Sequence, residues 1–324
     1  MHPAFSVIFL TTLIGAGQGL FLALYTAQVY AAFNLLPAQD PVRFYALGSL
    51  VALILLVAGL GASFLHLGRP ERAWRSAAMW RTSWLSREVI ALPACMGAVA
   101  AWGLAHYSGW NPTLFMLGSL GVDLSFLIGA AATVLCFALF VCTGMIYACI
   151  KFLQEWATPL TVVNYILFGG ASGFLLAAAF AAWKGLELVD FYVGWAIVMT
   201  ALAFVTRSAS LVRNARLKHK STMQSAIGIR HARIEQKAQG AMAGSFNTRE
   251  FFHGASPRKY RFVKWVFLVL VFPVPMLLIT AGLATEAFGL LLAAFLVQYL
   301  GLLAERWFFF AQANHPQNLY YQTV

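Results

Sequence analysis

The residues with the clearest capacity for chemistry lie between positions 64 and 88, in the segment FLHLGRPERAWRSAAMWRTSWLSRE. An apolar stretch ends at His66, and the next one opens with Ser86, Arg87 and Glu88. If both stretches are helices in a membrane, one ends and the other begins on the same side, so we expect His66 and Glu88 to approach one another there. The alternative is that His66 caps its helix and that Glu88 pairs with Arg87 or Arg69.

These residue types at such a boundary suit the chemistry of a quinone. The isoprenoid tail of a quinone stays in lipid while its ring exchanges two electrons and two protons. The site therefore requires a hydrogen-bond donor to the carbonyl oxygen and a group that relays protons. Histidine suits the first role, and a partly buried glutamate suits the second. Arg69, Ser86 and Arg87 complete the predicted site around His66 and Glu88.

A second charged pair, Glu305 and Arg306, lies near the end of the last apolar stretch. Charged side chains inside a membrane usually face the bundle interior in pairs, because exposure to lipid is costly. The pair is therefore a secondary candidate for the same site. The alternative is a salt bridge between helices beside an aromatic belt.

The connector 67–87 is basic and rich in tryptophan, a combination typical of the headgroup level of a membrane. Pro70 suits the first turn of a short helix. Trp74, Trp80 and Trp84 favour the interface, and Trp84 is a further secondary candidate for the site. We expect this connector to lie on the membrane surface.

Composition explains why the apolar stretches are interpreted as membrane spans. Of the 324 residues, 61% are hydrophobic and only 10% are charged, and the mean hydropathy is +0.75. A helix that crosses a bilayer needs about 20 apolar residues. The sequence therefore predicts an all-α, polytopic membrane protein with one transmembrane domain over 1–324. The eight predicted spans are 5–33, 44–66, 88–107, 119–150, 160–183, 190–207, 262–283 and 286–311.

The distribution of charge predicts the orientation. The chain carries 22 lysine and arginine residues against 11 aspartate and glutamate residues. Connectors after the even-numbered spans hold 18 of the basic residues, whereas those after the odd-numbered spans hold only Arg43 and Lys184. The positive-inside rule then places the basic connectors and both termini in the cytoplasm. Nucleic-acid binding is disfavoured because these charges lie beside a membrane.

The longest connector, 207–261, is too polar to cross a bilayer and too long for a simple turn. Its 12 basic residues against Glu235 and Glu250 predict a docking surface for an acidic partner or for anionic lipid headgroups. Within it, SAIGIRHARIEQKAQ places Ile227, Ile234 and Ala238 at helical spacing, which predicts a surface helix.

The sequence offers no ligand set for a redox cofactor held by this chain itself. The seven histidines do not form a facing pair within the apolar spans, as haem b would require, and the four cysteines form no Cys-x-x-Cys motif. We therefore expect no haem and no metal, and a quinone, either ubiquinone or menaquinone, as the redox carrier.

A weak internal repeat links TTLIGAGQGLFLAL in the first span with NYILFGGASGFLLAAA in the fifth. The small residues in both predict close helix packing, because transmembrane helices associate through small side chains. The repeat favours two four-helix halves in the same orientation. Alternatively, it reflects only the abundance of small residues in such helices.

The pattern HLGRPERAW followed by WLSRE, together with ER in the last span, resembles the anchor subunits of the dimethyl sulfoxide reductase type, which belong to the complex iron–sulfur molybdoenzymes. The resemblance implies eight helices, no haem and a quinone site. It also implies electron exchange with an iron–sulfur subunit bound to a molybdopterin catalytic subunit. It carries the quinone role onto His66 and Glu88.

The connector QSAIGIRHARIEQKAQGAMAGSFNTREFFHG and the tail ERWFFFAQANHPQNLYYQ look more like the sulfite dehydrogenase branch of that family, whose catalytic subunits remain in the cytoplasm. The resemblance thus implies sulfite oxidation coupled to quinone reduction. The charge count, which turns the His66 face inward, favours the same branch independently.

Two other functions stay open at this point. The anchor of a reductase would use the same pocket in the opposite direction: it would oxidise quinol, and the electrons would reduce dimethyl sulfoxide or another oxyanion. A secondary transporter would require polar groups near the bilayer midplane, where Gln18 is the main candidate.

Overall fold

The computed structural model describes residues 2–118, 120–185, 187–218, 221–235, 237–238, 253–287, 289–316 and 318. Its α-helices in these ranges are α1 (Phe5–Ala32), α2 (Leu47–Phe64), α3 (Trp84–Ser108), α4 (Leu124–Ala148), α5 (Pro159–Trp183), α6 (Val189–Ala215), α7 (Met223–Ile227), α8 (Pro257–Val271), α9 (Pro273–Ala284) and α10 (Gly289–Gln312). A π-helix (Pro41–Ala46) leads into α2, and a 3-10 helix (Pro70–Met79) precedes α3. Strands β1 (Thr113–Leu117) and β2 (Leu120–Asp123) form an antiparallel hairpin.

In the described part of the chain, eight helical segments are long and apolar enough to cross a bilayer, which confirms the predicted number of spans and the all-α class. The π-helix and α2 form one of them, and α8 and α9 form another. The segments contain 24 to 28 residues. Helices of that length extend for about 36–42 Å and exceed a hydrocarbon core of about 30 Å. The β1–β2 hairpin was not predicted.

Successive spans alternate in direction, so the connectors emerge on two faces. We call the side of connectors 65–83 and 149–158 and of residues 216–218 and 253–256 the basic face. The side of the π-helix, the hairpin and the α5–α6 and α9–α10 turns is the opposite face. The beginning of α1 and the end of α10 both lie on the basic face, as an even number of spans requires.

Helices α1 and α5 form the centre of the bundle, and the small residues of the predicted repeat are the reason. A Cβ atom on Gly19 would overlap the carbonyl oxygen of Gly169, and one on Gly173 would overlap the backbone of Gly19. The two helices are also the most buried spans: 67% and 72% of the residues in their most apolar 18-residue stretches are buried inside the protein. The prediction that these glycines allow close packing is confirmed.

The helix pairs repeat between the two halves of the chain. Helix α1 packs on α2 as α5 packs on α6, and α3 packs on α4 as α8 and α9 pack on α10. Two halves in the same orientation would give this pattern.

The seventh span is broken at Phe272, between α8 and α9, and a side chain from α10 compensates for the break. Pro275 has no N–H, so the carbonyl of Val271 loses its helical donor. The Nε2 atom of Gln298 donates to that carbonyl at 3.3 Å and to the hydroxyl of Thr200 at 3.2 Å. A break inside a membrane span is stable only when a neighbour satisfies the freed backbone group in this way.

Two predictions about the long connector 207–261 require correction. Helix α6 continues to Ala215, and Arg207 is buried inside it. The predicted surface helix forms only over Met223–Ile227, because Gly228 adopts a left-handed conformation with a φ of 71° and ends the helix. The described residues 229–235 continue without helix. Much of the connector, at 239–252, lies outside the described residues.

Candidate functional site

Glu88 is one of the buried carboxylates at the basic face, where Glu155 in the connector 149–158 is another. Glu88 is the fifth residue of α3, which begins with Ser83 as its N-cap, and only 8% of it is exposed. The hydroxyl of Thr143, on the facing helix α4, donates to its Oε1 atom at 2.5 Å. Glu88 forms no ion pair with the described residues, so the alternative that it pairs with Arg87 or Arg69 is wrong.

Arg87 instead holds the connector against the start of α3. Its Nε atom donates to the carbonyl of Trp80 at 2.9 Å, and its Nη2 atom donates to the carbonyl of Arg81 at 2.8 Å. Its guanidinium carbon lies 4.2 Å from the ring centroid of Trp84. Arg87 therefore orders the junction from which Glu88 projects. The predicted short helix with Pro70 in its first turn is confirmed as the 3-10 helix.

His66 lies just beyond the end of α2 and is exposed. Its side chain forms no hydrogen bond with the described residues, so it does not cap α2, and no hydrogen bond joins it to Glu88. Arg69 is exposed at the start of the 3-10 helix, and Ser86 is buried in the first turn of α3. The structure thus places the predicted site residues at one face but leaves the imidazole and the carboxylate with different surroundings.

Glu305 forms the centre of a second, fully buried cluster, which the sequence recognised only in part. Its Oε1 atom lies 2.8 Å from Nε of Arg207, and its Oε2 atom lies 2.6 Å from Nε of Arg306. The three side chains are 0%, 3% and 4% exposed. The predicted pair Glu305–Arg306 is therefore part of a triad that ties α6 to α10.

Aromatic rings surround both guanidinium groups of this triad. The guanidinium carbon of Arg306 lies 4.2 Å from the ring centroid of Tyr165 and 4.9 Å from that of Phe309. That of Arg207 lies 5.6 Å from the ring centroid of Phe267. The negative faces of the rings stabilise cations that have lost their water. One anion can therefore hold two buried cations.

Two tyrosines connect the triad with Glu88. The rings of Tyr147 and Tyr165 are stacked, with centroids 6.0 Å apart and an angle of 5° between their planes. The ring of Tyr165 also faces the guanidinium group of Arg306, whose carbon lies 4.2 Å from the ring centroid. Tyr147 also follows Thr143 by one helical turn of α4, on the same face. The two tyrosines therefore lie between Arg306 and the face of α4 that carries Thr143. We call Glu88, Thr143, these two tyrosines and the triad the polar region.

Two small internal cavities flank Arg306. One of about 20 Å³ is also lined by Thr11 and Tyr165, and the other, of about 10 Å³, is also lined by Glu155 and Arg207. These volumes are close to the minimum that a single water requires. The polar region can therefore contain water on both sides of the Arg306 guanidinium.

The whole region lies beneath the basic face. Glu88 is four residues from the start of α3, and Arg207 is eight residues from the end of α6. At 1.5 Å per residue, these positions are about 6 and 12 Å inside their helices. Both side chains therefore lie nearer to the basic-face end of their helix than to its other end.

Sequence reasoning missed Arg207, Thr143, Tyr147 and Tyr165. Arg207 was assigned to the connector because a charge after an apolar stretch normally marks the end of a span. The sequence carried no signal for Arg207, because Glu305 and Arg306 already balance one another in charge. The tyrosines and the threonine have no signal either, because their position relative to Glu88 depends on how the helices face one another.

Comparison with known proteins identifies the family of the chain. Residues 1–312 match the family described as the DMSO reductase anchor subunit (DmsC). The chain belongs to this family, and it is a multi-pass membrane anchor subunit of a DMSO reductase type complex, as the resemblance in the sequence implied.

One relative indicates the branch of the family to which the chain is similar. The chain is 62% identical to a sulfite dehydrogenase subunit of Allochromatium vinosum, over 325 residues that cover 100% of both chains. This similarity supports the sulfite dehydrogenase branch that the long connector and the C-terminal tail indicated.

Proposed function

We propose that this chain is the quinone-reactive anchor of a sulfite-oxidising molybdenum enzyme complex in the bacterial inner membrane. An iron–sulfur subunit, bound to a molybdopterin catalytic subunit, docks on the basic face, which lies in the cytoplasm together with both termini. Sulfite and water give sulfate, two electrons and two protons in the catalytic subunit. The electrons pass through the iron–sulfur subunit to a quinone beside His66 and Glu88, which also takes up two protons and becomes quinol.

The observation that carries this proposal is the environment of Glu88. Three carboxylates are buried in or beside the polar region: Glu88, Glu155 and Glu305. Glu305 lies between guanidinium groups, which fix its negative charge, and Glu155 lines a cavity together with Arg207 and Arg306. Glu88 accepts a hydrogen bond from a neutral hydroxyl and forms no ion pair with the described residues. A carboxyl group without a cation beside it is the one suited to take up and release a proton.

The surroundings of His66 support access for a carrier that remains in lipid. Phe64 and Leu65, on the last turn of α2, are 43% and 82% exposed, and Leu85, on the first turn of α3, is 51% exposed. These apolar side chains offer a surface for an isoprenoid tail. The imidazole of His66, free of other side-chain bonds in the described structure, is available as a hydrogen-bond donor to a quinone carbonyl.

The polar region supports proton delivery to the same place. Thr143 contacts Glu88 directly, and the stacked tyrosines extend the region to Arg306 and its two cavities. We propose that protons reach Glu88 from water at the basic face along this region. Arg207 and Arg306 then act as fixed charges that keep Glu305 ionised, not as proton carriers.

The connector before α3 supports docking of an acidic partner. None of the residues in its 3-10 helix is buried, and Trp74 and Trp80 are 71% and 52% exposed. Arg72, Arg75 and Arg81 lie between and beside these two tryptophans in the sequence. Exposed tryptophan and arginine side chains are enriched where proteins bind one another. This surface lies directly beside the proposed electron acceptor.

The test separates electron delivery to quinone from turnover of the partner subunits. In the purified complex, His66→Leu and Glu88→Gln should each lower sulfite oxidation with quinone by about 100-fold or more, the typical effect of losing a proton-transferring group. Oxidation with an artificial soluble acceptor should continue. Glu187→Gln, which neutralises an exposed carboxylate on the opposite face, serves as the matched control and should leave both activities unchanged. Equal loss of both activities in the site variants would refute the proposal.

A further inference from the structure

The opposite face carries few basic residues, and the two that it has meet at one groove. Arg43 lies in the π-helix before α2, and Lys184 lies directly after α5, far away in the sequence. Both line the same groove between α2 and α3, which has a volume of about 510 Å³. The remaining charged residues on this face are acidic: Asp40, Asp123, Glu187, Asp190 and Glu286. Two cations on an otherwise acidic face therefore converge on one site.

Neither cation is neutralised within the described protein. No carboxylate of the described residues lies within ion-pair distance of Arg43 or Lys184, although acidic residues are close in the sequence. Asp40 accepts a hydrogen bond from the backbone N–H of Arg43 at 2.7 Å and so caps the π-helix. The ammonium of Lys184 lies 4.0 Å from the ring centroid of Trp183, which holds it at the interface. Both positive charges remain available to an external anion.

The walls of the groove are apolar and face lipid. Leu47, Leu50 and Leu53 contribute from α2, and Ala100 and Leu104 contribute from α3. Leu50 and Leu104 are 51% and 63% exposed. The floor forms because α2 and α3 approach closely at Gly103, where a Cβ atom would overlap the hydroxyl of Ser49.

The depth of the groove matches one leaflet of the membrane. Arg43 and Tyr107 lie at its mouth, and Leu53 and Ala100 lie at its inner end. Ten residues of helix separate Arg43 from Leu53, a distance of about 15 Å along the axis. Half of a hydrocarbon core of about 30 Å has the same depth.

We propose that this groove binds one anionic phospholipid of the leaflet on the opposite face. Its phosphate lies between Arg43 and Lys184, with Tyr107 beside it, and an acyl chain occupies the apolar walls between α2 and α3. A quinone fits this site less well, because its ring has no charge to balance two unpaired cations. The site is independent of the quinone chemistry at the basic face.

Photochemical labelling tests the site in the purified complex. The probe is phosphatidylglycerol with a diazirine in one acyl chain, and labelled peptides are identified by mass spectrometry. We expect labelling of the peptides that contain Leu50 and Leu104, and much less labelling with a phosphatidylcholine probe of the same chains. Each basic residue near an anionic headgroup contributes about a fivefold gain in affinity, so the double variant Arg43→Gln/Lys184→Gln should bind the probe roughly 30-fold more weakly.

Control measurements make each outcome decisive. Lys264→Gln, which removes a lysine from another large apolar groove, between α6 and α8, should leave labelling of the α2–α3 groove unchanged. Thermal unfolding should show that the double variant is folded, because both side chains lie at the surface. Equal labelling by the two probes, or unchanged labelling in the double variant, would overturn the proposal. Displacement of the probe by quinone, but not by unlabelled phosphatidylglycerol, would assign the groove to quinone instead.

Discussion

Replacement of Glu305 by glutamine should be among the most destabilising single changes in this protein. The carboxylate is 0% exposed and lies 2.8 Å and 2.6 Å from the Nε atoms of Arg207 and Arg306. The triad has a net charge of +1, and Glu305→Gln raises it to +2 by leaving two buried cations without their anion. Breaking a buried ion pair from one side costs about 3–5 kcal/mol. Arg207→Gln lowers the net charge to zero and leaves Glu305 paired with Arg306, so it should cost less, about 1–3 kcal/mol.

Thermal unfolding in detergent measures this difference. With an unfolding entropy of about 2 cal/mol/K per residue, a cost of 3–5 kcal/mol in a chain of 324 residues lowers Tm by about 4–7 °C. The double variant Glu305→Gln/Arg207→Gln restores the net charge of +1 and should be more stable than the sum of the single effects predicts, by about 1–3 kcal/mol. The reasoning is refuted if Arg207→Gln is at least as harmful as Glu305→Gln, or if the two effects add.

Three further predictions concern packing, the broken span and pH. Gly19→Ala should destabilise the bundle by about 1–3 kcal/mol, because the new methyl group overlaps the backbone of Gly169. Gly97→Ala, on a lipid-facing part of α3, should have little effect. Tm values of the two variants test this difference. Gln298→Leu should lower the free energy of unfolding by about 1–3 kcal/mol, because the Val271 carbonyl loses its donor. Thr280→Val, which removes a hydroxyl that bonds only within its own helix, should have a smaller effect in the same assay. Burial lowers the pKa of His253, whose ring stacks on Tyr260. The neutral histidine therefore stabilises the folded state fully above about pH 6.5, and this stabilisation decreases progressively as the pH falls. Hydrogen-exchange protection of residues 253–260, corrected for intrinsic rates, should therefore decrease between pH 7.5 and 5.5 in the wild type and stay constant in His253→Phe; equal pH dependence in both would contradict this.

The sequence by itself determined the elements and the face on which the chemistry lies. Hydropathy and span length are local properties, and they predicted eight helices because a bilayer accepts only apolar segments of that length. The alternation of spans then brought His66 and Glu88 to one face without any knowledge of packing. The glycines of α1 and α5 indicated close packing for a similar reason, since only small side chains allow two backbones to approach.

Only the tertiary structure decided which side chains meet. From the sequence, Arg207 is predicted to be a connector residue. In the structure it lies inside α6, because Glu305, 98 positions later in the chain, supplies the anion that stabilises it there. Glu88 acquires Thr143 in place of Arg87 because α4 presents its hydroxyl to the first turn of α3. These pairings depend on the rotation of each helix about its axis. That rotation is set by contacts between distant helices, and in an all-round apolar span it leaves no periodic pattern in the sequence.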